Sequence, residues 1–206
     1  MRSLAGAIQL LILGRDSPDA GKAAAWFPLV GAALGAAGAG VYLTAGPLPA
    51  LACVAFWALA GRVVHERKLS YAVIALSVGA RWLALDSFAG PSLLTACIAA
   101  QAVPRAAMVG LLWVSRPTGR GLGYALASTL TTPAALAALA EGVLAAFLCG
   151  ARVGIVLMAG SILIANLARE YCYKRWGGVD GDCLGVTEQL LEIFILGVFA
   201  CRACAW

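Results

Sequence analysis

The strongest constraint on this chain is how little of it can face water. Apolar stretches of about fifteen residues or more follow one another at 23–43, 50–64, 71–85, 92–114, 134–149 and 152–168, and a last one runs from 183 toward the C-terminus. Hydrophobic residues make up 62% of the 206 and charged residues only 12%, whereas a soluble domain carries about 45–50% and about 25%. Such a chain belongs in a bilayer. A bilayer core satisfies no open backbone groups, so only helices or closed barrels cross it. The abundance of Ala, Leu and Gly, with few strand-like alternations, selects helices. The expected fold is all-α, a polytopic membrane bundle of about 6–7 transmembrane helices, in one domain spanning 1–206 with no internal repeats.

Taken in order, residues 1–23 begin with Leu4, Ile8, Leu11 and Ile12 at helical spacing, a piece that lies on the membrane surface or packs in the bundle. No cleavage site of a signal peptide is expected there. The first span is rich in small residues at i, i+4 spacing, which permits close helix contact. The second, 50–64, is short, about 22 Å of helix. The third carries Arg81 near its far end, placed to snorkel to the interface. The fourth contains Pro104, expected to kink it, and Arg105, an ionisable group deep in an apolar run. Charges at such depth face protein or water, so Arg105 is expected in the bundle interior. A polar loop at 115–133 follows, in which Arg116, Arg120, Gly121 and Gly123 form either an anion cradle or a plain solvated loop.

The net charge of +5 would suggest nucleic acid in a soluble protein. Here the cations sort by loop instead. Arg2, Arg15, Lys22, Arg62, Arg67, Lys68, Arg116, Arg120, Arg169, Lys174 and Arg175 fall on one side, and Arg81, Arg152 and Arg202 on the other. That asymmetry sets membrane orientation. It places the N-terminus and the even-numbered exits in the cytoplasm, so the polar loops converge on one cytoplasmic-facing site. The partner is the lipid bilayer, with no nucleic acid.

The most polar stretch is 173–192, YKRWGGVDGDCLGVTEQLLE. Asp180, Asp182, Glu188, Glu192, Lys174, Arg175 and four glycines, Gly178 and Gly181 among them, fall within nineteen residues of it. Glycines let the backbone turn and approach a ligand closely. Gly181-Asp182 closes a turn, helix begins near Cys183, and Glu188 and Glu192, four apart, share one helix face. Two readings stand side by side. One is a site for a phosphorylated substrate or a divalent metal; the other is a charged connecting loop whose helix begins with acids.

Seven cysteines, Cys53, Cys97, Cys149, Cys172, Cys183, Cys201 and Cys204, lie mostly in or beside apolar spans and read as small buried apolar residues. The C-x-x-C at Cys201 and Cys204 has no second pair and no neighbouring His, and the only histidine is His65.

The run 177–192 resembles the GG-x-x-GD-x-LG-x-x-x-E-x-x-E segment of the cobalamin-5'-phosphate synthases, also called adenosylcobinamide-GDP ribazoletransferases. Residues 26–35, WFPLVGAALG, and the run RAAMVGLLW with the Arg/Gly loop after it are similar to the same family. The resemblance implies a bacterial inner-membrane transferase of vitamin B12 (cobalamin) biosynthesis. It would join adenosylcobinamide-GDP to α-ribazole, or its phosphate, with release of GMP. It implies Mg²⁺, a corrinoid nucleotide substrate and other B12-assembly enzymes as partners. Carried onto this sequence, it implies Asp182, Glu188 and Glu192 as catalytic residues. Arg67, Arg105, Arg120, Lys174, Arg175, Gly178 and Gly181 would contact substrate, and Asp180, Asp182 and Glu66 would hold the metal.

The sequence departs from the family pattern in one place. Family members carry an H-x-DG-x-x-D-x-x-DG motif after the second span and then a DSR-x-G segment. This chain reads VVHERKLSYAVI at 63–74. His65 and Glu66 match the start of the first motif and 67–71 the end of the second, and the stretch between them, with its three aspartates, is absent. The chain therefore reads either as a shortened transferase or as an inactive homologue serving as a membrane partner or scaffold in the pathway. A small-molecule permease, the third class, lacks the inverted repeats transporters favour.

Overall fold

In the computed structural model, residues 2–13, 20–46, 51–55, 78–83, 92–118 and 122–205 are described. The backbone there is helical, with one isolated bridge, Pro117 to Val179. Helix α1 covers Arg2–Ile8 and runs into a π-helical turn, Gln9–Leu13. The one-turn helix α2, Ala20–Ala23, leads through the 3₁₀ turn Ala24–Trp26 into α3, Phe27–Ala45. Short helical pieces at 51–55 and 78–83 belong to the second and third spans, whose remaining residues lie outside the described ones. Then come α4, Ser92–Val114; α5, Leu122–Thr129; α6, Thr132–Phe147; α7, Ala151–Trp176; and α8, Gly181–Ala205.

Four described helical stretches are long and apolar enough to cross a bilayer: Ala20–Ala45, Ser92–Val114, Ala151–Trp176 and Gly181–Cys201. The pair α5–α6 adds a fifth if taken as one broken span, bent by 112° at residues 130–131. This is a multi-pass, all-α membrane protein.

Helix α4 is the centre of the bundle, packing against α3, α6 and α8. Its contact with α3 is close because α3 offers glycine. A Cβ added at Gly31 would sit 2.3 Å from the Gln101 carbonyl oxygen, and one at Gly35 equally close to the Cys97 carbonyl. Without side chains there, the backbones approach until dispersion contacts fill the seam, which is how apolar helices associate in lipid. The expected small-residue seam is thus present, four residues apart on one helix face.

Two expectations change, while the fourth span is helical from Ser92 to Val114 with Pro104 inside it. The loop foreseen at 115–133 contains α5, whose small and polar residues hid its helicity. The sixth span continues to Trp176, so Arg169, Lys174 and Arg175 sit on its last turns and the connecting loop shrinks to 177–180. A helix extends past the bilayer readily when its final turns carry cations that complement its dipole.

Candidate functional site

The α7–α8 junction is built from glycine and one capping acid. Gly177 takes the left-handed conformation, φ 74°, and its N–H bonds to the Tyr173 carbonyl, ending α7. Gly178 is pressed onto the chain itself: a Cβ there would lie 2.5 Å from the Arg116 carbonyl oxygen and 2.6 Å from Thr118 Cγ2. That approach lets Val179 exchange two backbone bonds with the segment after α4, Thr118 N–H to the Val179 carbonyl (2.9 Å) and Val179 N–H to the Arg116 carbonyl (3.0 Å). Tyr173 Oη accepts from Arg116 N–H at 2.7 Å. Gly181 packs against Gly123, where an added Cβ would come within 3.3 Å of Gly181 Cα. Both glycines expected to meet a substrate therefore serve backbone packing. Lys174 and Arg175 are exposed at this end, as is Arg116.

Asp180 begins α8. Its Oδ1 accepts the Cys183 N–H at 2.8 Å and its carbonyl accepts Leu184 N–H at 3.2 Å, the geometry of a helix N-cap. Asp182 is buried in the first turn, where the positive end of the helix dipole favours its charge. Helix thus starts at Gly181, two residues earlier than expected. Cys172 and Cys183 form a disulfide across the junction, with Cα atoms 6.3 Å apart. This corrects the reading of both as inert small residues; spacing alone gives no pairing.

One to three turns further along α8 the charges are in the bundle interior. Glu188 lies 3.2 Å from Arg105, Glu192 lies 2.8 Å from Arg81, and Arg105 is 3.8 Å from Glu192. Arg105 also donates to the Gln101 backbone carbonyl and, at 2.8 Å, to Gln101 Oε1. Arg81, Gln101, Arg105, Glu188 and Glu192 are each exposed by 1% or less. Two guanidinium groups and two carboxylates make a neutral quartet, the arrangement that makes buried charge tolerable in a bilayer.

Arg105 lies in the interior as expected, but Arg81 does not snorkel. It turns inward because a partner of opposite charge, Glu192, waits there. Gln101, which holds Arg105, carried no signal beyond being polar in an apolar run.

The structure brings together Arg105, Glu188 and Glu192, and places Asp180, Asp182, Gly178 and Gly181 at the head of the same helix. Glu66, Arg67 and Arg120 lie outside the described residues. Among the described residues no three His, Cys, Asp or Glu side chains form a group that could hold a metal ion. Asp180 is engaged as a cap, and Glu188 and Glu192 face arginines that cancel their charge. The described residues therefore do not fit the Mg²⁺ that the resemblance implies.

The sequence pattern of cobalamin-5-phosphate synthase matches residues 69–200, which include the junction and all four quartet residues. An adenosylcobinamide-GDP ribazoletransferase of Bradyrhizobium diazoefficiens is 32% identical over 251 residues, covering 97% of this chain and 92% of its own. The chain belongs to the cobalamin-5-phosphate synthase family. Other relatives align over part of their length. The ribazoletransferase of Ralstonia pickettii is 31% identical over 141 residues, 66% of this chain and 55% of its own, and that of Sinorhizobium medicae is 36% identical over 146 residues, 64% and 55%. The chain thus spans about half the length of those two. The Bradyrhizobium alignment is longer than the 206 residues of this chain, so that family member carries residues with no counterpart here. No solved structure matches.

Proposed function

We propose that this family member serves cobalamin assembly in the bacterial inner membrane by binding the nucleotide-bearing corrinoid at its cytoplasmic face, beside other assembly enzymes, without appreciable transfer of its own. The observation that carries this reading is the neutral quartet. Glu188 and Glu192, the paired carboxylates of the family segment, face Arg105 and Arg81 and leave no net negative charge to draw a divalent cation. Lys174, Arg175 and Arg116, exposed at the α7–α8 end, supply charge that suits a diphosphate.

Transfer would require the ribazole hydroxyl to attack a phosphorus of the diphosphate while GMP departs. Its rate rests on positioning and on neutralising the developing phosphate charge. Each missing increment of about 1.36 kcal/mol lowers the rate about tenfold. The aspartate-rich motif that would gather Mg²⁺ is absent from 63–74. A second reading, an active shortened ribazoletransferase using Glu66 and Asp182, draws on the alignment that covers 97% of the chain.

Complementation separates the two. In a host lacking its own synthase, on medium where growth requires cobalamin made from cobinamide, this chain should not restore growth. The purified protein should still bind the GDP-bearing corrinoid, more weakly in Arg175→Gln. Growth at the wild-type rate overturns the binding-only reading and moves Glu66 and Asp182 to the centre of the chemistry.

A further inference from the structure

A second site lies on the flank of the bundle and ends beside the α7–α8 junction. Helices α4, α6 and α7 enclose a groove of about 180 Å³ between Ala107 and Gly110 on α4, Leu139 and Val143 on α6, and Ala165 on α7. Its α7 wall is one helix face, since Met158, Ser161, Ile162, Ala165 and Arg169 recur at three- and four-residue spacing. The groove opens where Val114, Val143 and Ile162 of its own lining are exposed, the surface a multi-pass protein turns to lipid. Its volume is below the roughly 300–1,000 Å³ of ordinary small-molecule pockets. That is too narrow for a macrocycle and suited to a linear chain.

One end of the groove is cationic. Arg169 closes it and also borders an adjoining hollow of about 270 Å³ lined with Glu170, Tyr173 and Lys174. The Arg169 guanidinium stacks 5.1 Å above the Tyr173 ring, and Nη2 reaches the Val114 carbonyl at 3.4 Å. Its Nε is buried without a hydrogen-bond partner among the described residues, as is Ser161 Oγ further along the groove. An orphaned buried N–H costs free energy that an anion would recover. With Glu170 counted, the mouth still carries one net positive charge.

We propose that this groove is a binding site for an anionic membrane phospholipid, one acyl chain lying between α4, α6 and α7 and the phosphate meeting Arg169. Apolar slot and cationic mouth are continuous through a single residue, so they match an amphiphile better than either a free anion or an apolar solute. Basic pockets between transmembrane helices take acidic headgroups by this chemistry. The proposal does not require corrinoid binding, although Lys174 borders both sites. Its test contains no nucleotide and varies Arg169 rather than Lys174.

The full-length protein in detergent is exposed to equal amounts of phosphatidylglycerol and phosphatidylcholine with identical acyl chains, and retained lipid is counted by native mass spectrometry. The parent should retain phosphatidylglycerol roughly five- to tenfold over phosphatidylcholine, as one favourable basic contact at a membrane surface predicts. Arg169→Gln should bring the two near parity with an unchanged melting curve. Ala165→Phe should lower retention of both lipids, and Ala107→Leu, filling the groove from α4, replaces it if that variant does not fold. Parity in the parent overturns the proposal. Displacement of phosphatidylglycerol by glycerol phosphate alone also does, by assigning Arg169 a free anion. So does a groove-filling variant that shifts a monomer–dimer balance while lipid retention stays constant, which would give the groove to a second copy of the chain.

Discussion

The two sides of α4 show two different ways of joining helices inside a membrane. Toward α3 the seam is bare. Gly31 and Gly35 bring backbone against the Gln101 and Cys97 carbonyls, and the contact is dispersion over a close, shape-matched surface. Toward α8 the seam is ionic, with Arg105 of α4 between Glu188 and Glu192. The two seams share residues. Arg105 is held by Gln101, and its Cδ would lie 2.8 Å from a Cβ on Gly31. A side chain at position 31 would thus disturb both. The difference teaches what each seam tolerates. The glycine seam depends on the absence of atoms and fails by crowding. The ionic seam depends on a balance of charge and fails when one member is removed.

The largest effect is expected on the ionic seam. Arg105→Leu leaves Glu188 and Glu192 with Arg81 alone and strands a negative charge in the interior, a loss of about 3–5 kcal/mol. Unfolding in mild detergent should register it, and adding Glu188→Gln should recover a substantial part. If the double variant is no more stable than the single one, the quartet is not a charge-balanced unit.

A smaller loss is expected on the glycine seam. Gly35→Leu places atoms where the Cys97 carbonyl stands and should cost about 1–3 kcal/mol by overpacking. The same substitution at Gly40, where an added Cβ meets nothing within 4 Å, is the control. Equal melting of the two variants would show that the α3–α4 contact is looser than described.

The smallest effect separates structure from metal binding at the head of α8. Asp180→Ala removes the N-cap and should cost about 1 kcal/mol, and Asp180→Asn only a fraction of that, because asparagine caps nearly as well. Melting with and without Mg²⁺ should shift equally in parent and variants. A Mg²⁺-dependent stabilisation of the parent that Asp180→Asn abolishes would make this aspartate a metal ligand after all.

Much of this was legible without coordinates. The small residues four apart in α3 announce a close seam, and Arg105, charged in an apolar run, has to point into protein. The same argument does not settle Arg81, because snorkelling is open to an arginine near a span end. Only the presence of Glu192, more than a hundred residues later, excludes it. Gly178 and Gly181 looked like ligand-contacting glycines because close approach to a ligand and close approach to another stretch of backbone call for the same residue. The stretch 177–182 names neither partner. The sequence does not announce the Cys172–Cys183 disulfide, because it depends on where two Cβ atoms meet after α7 and α8 turn back on each other.

What the sequence determined by itself was the solvent and the element. A chain 62% hydrophobic with 12% charge partitions into lipid, and lipid admits only closed backbone hydrogen bonding, which here means helices. Family membership was equally legible, because runs of neighbouring residues carry it. The tertiary structure alone decided which charge meets which. Glu188 and Glu192 stand on one face of α8 whatever surrounds them, but their partners come from α4 and from the helical piece at 78–83, far away in the chain. Burial makes the difference, since the same four side chains in water would be a weakly coupled scatter of charge.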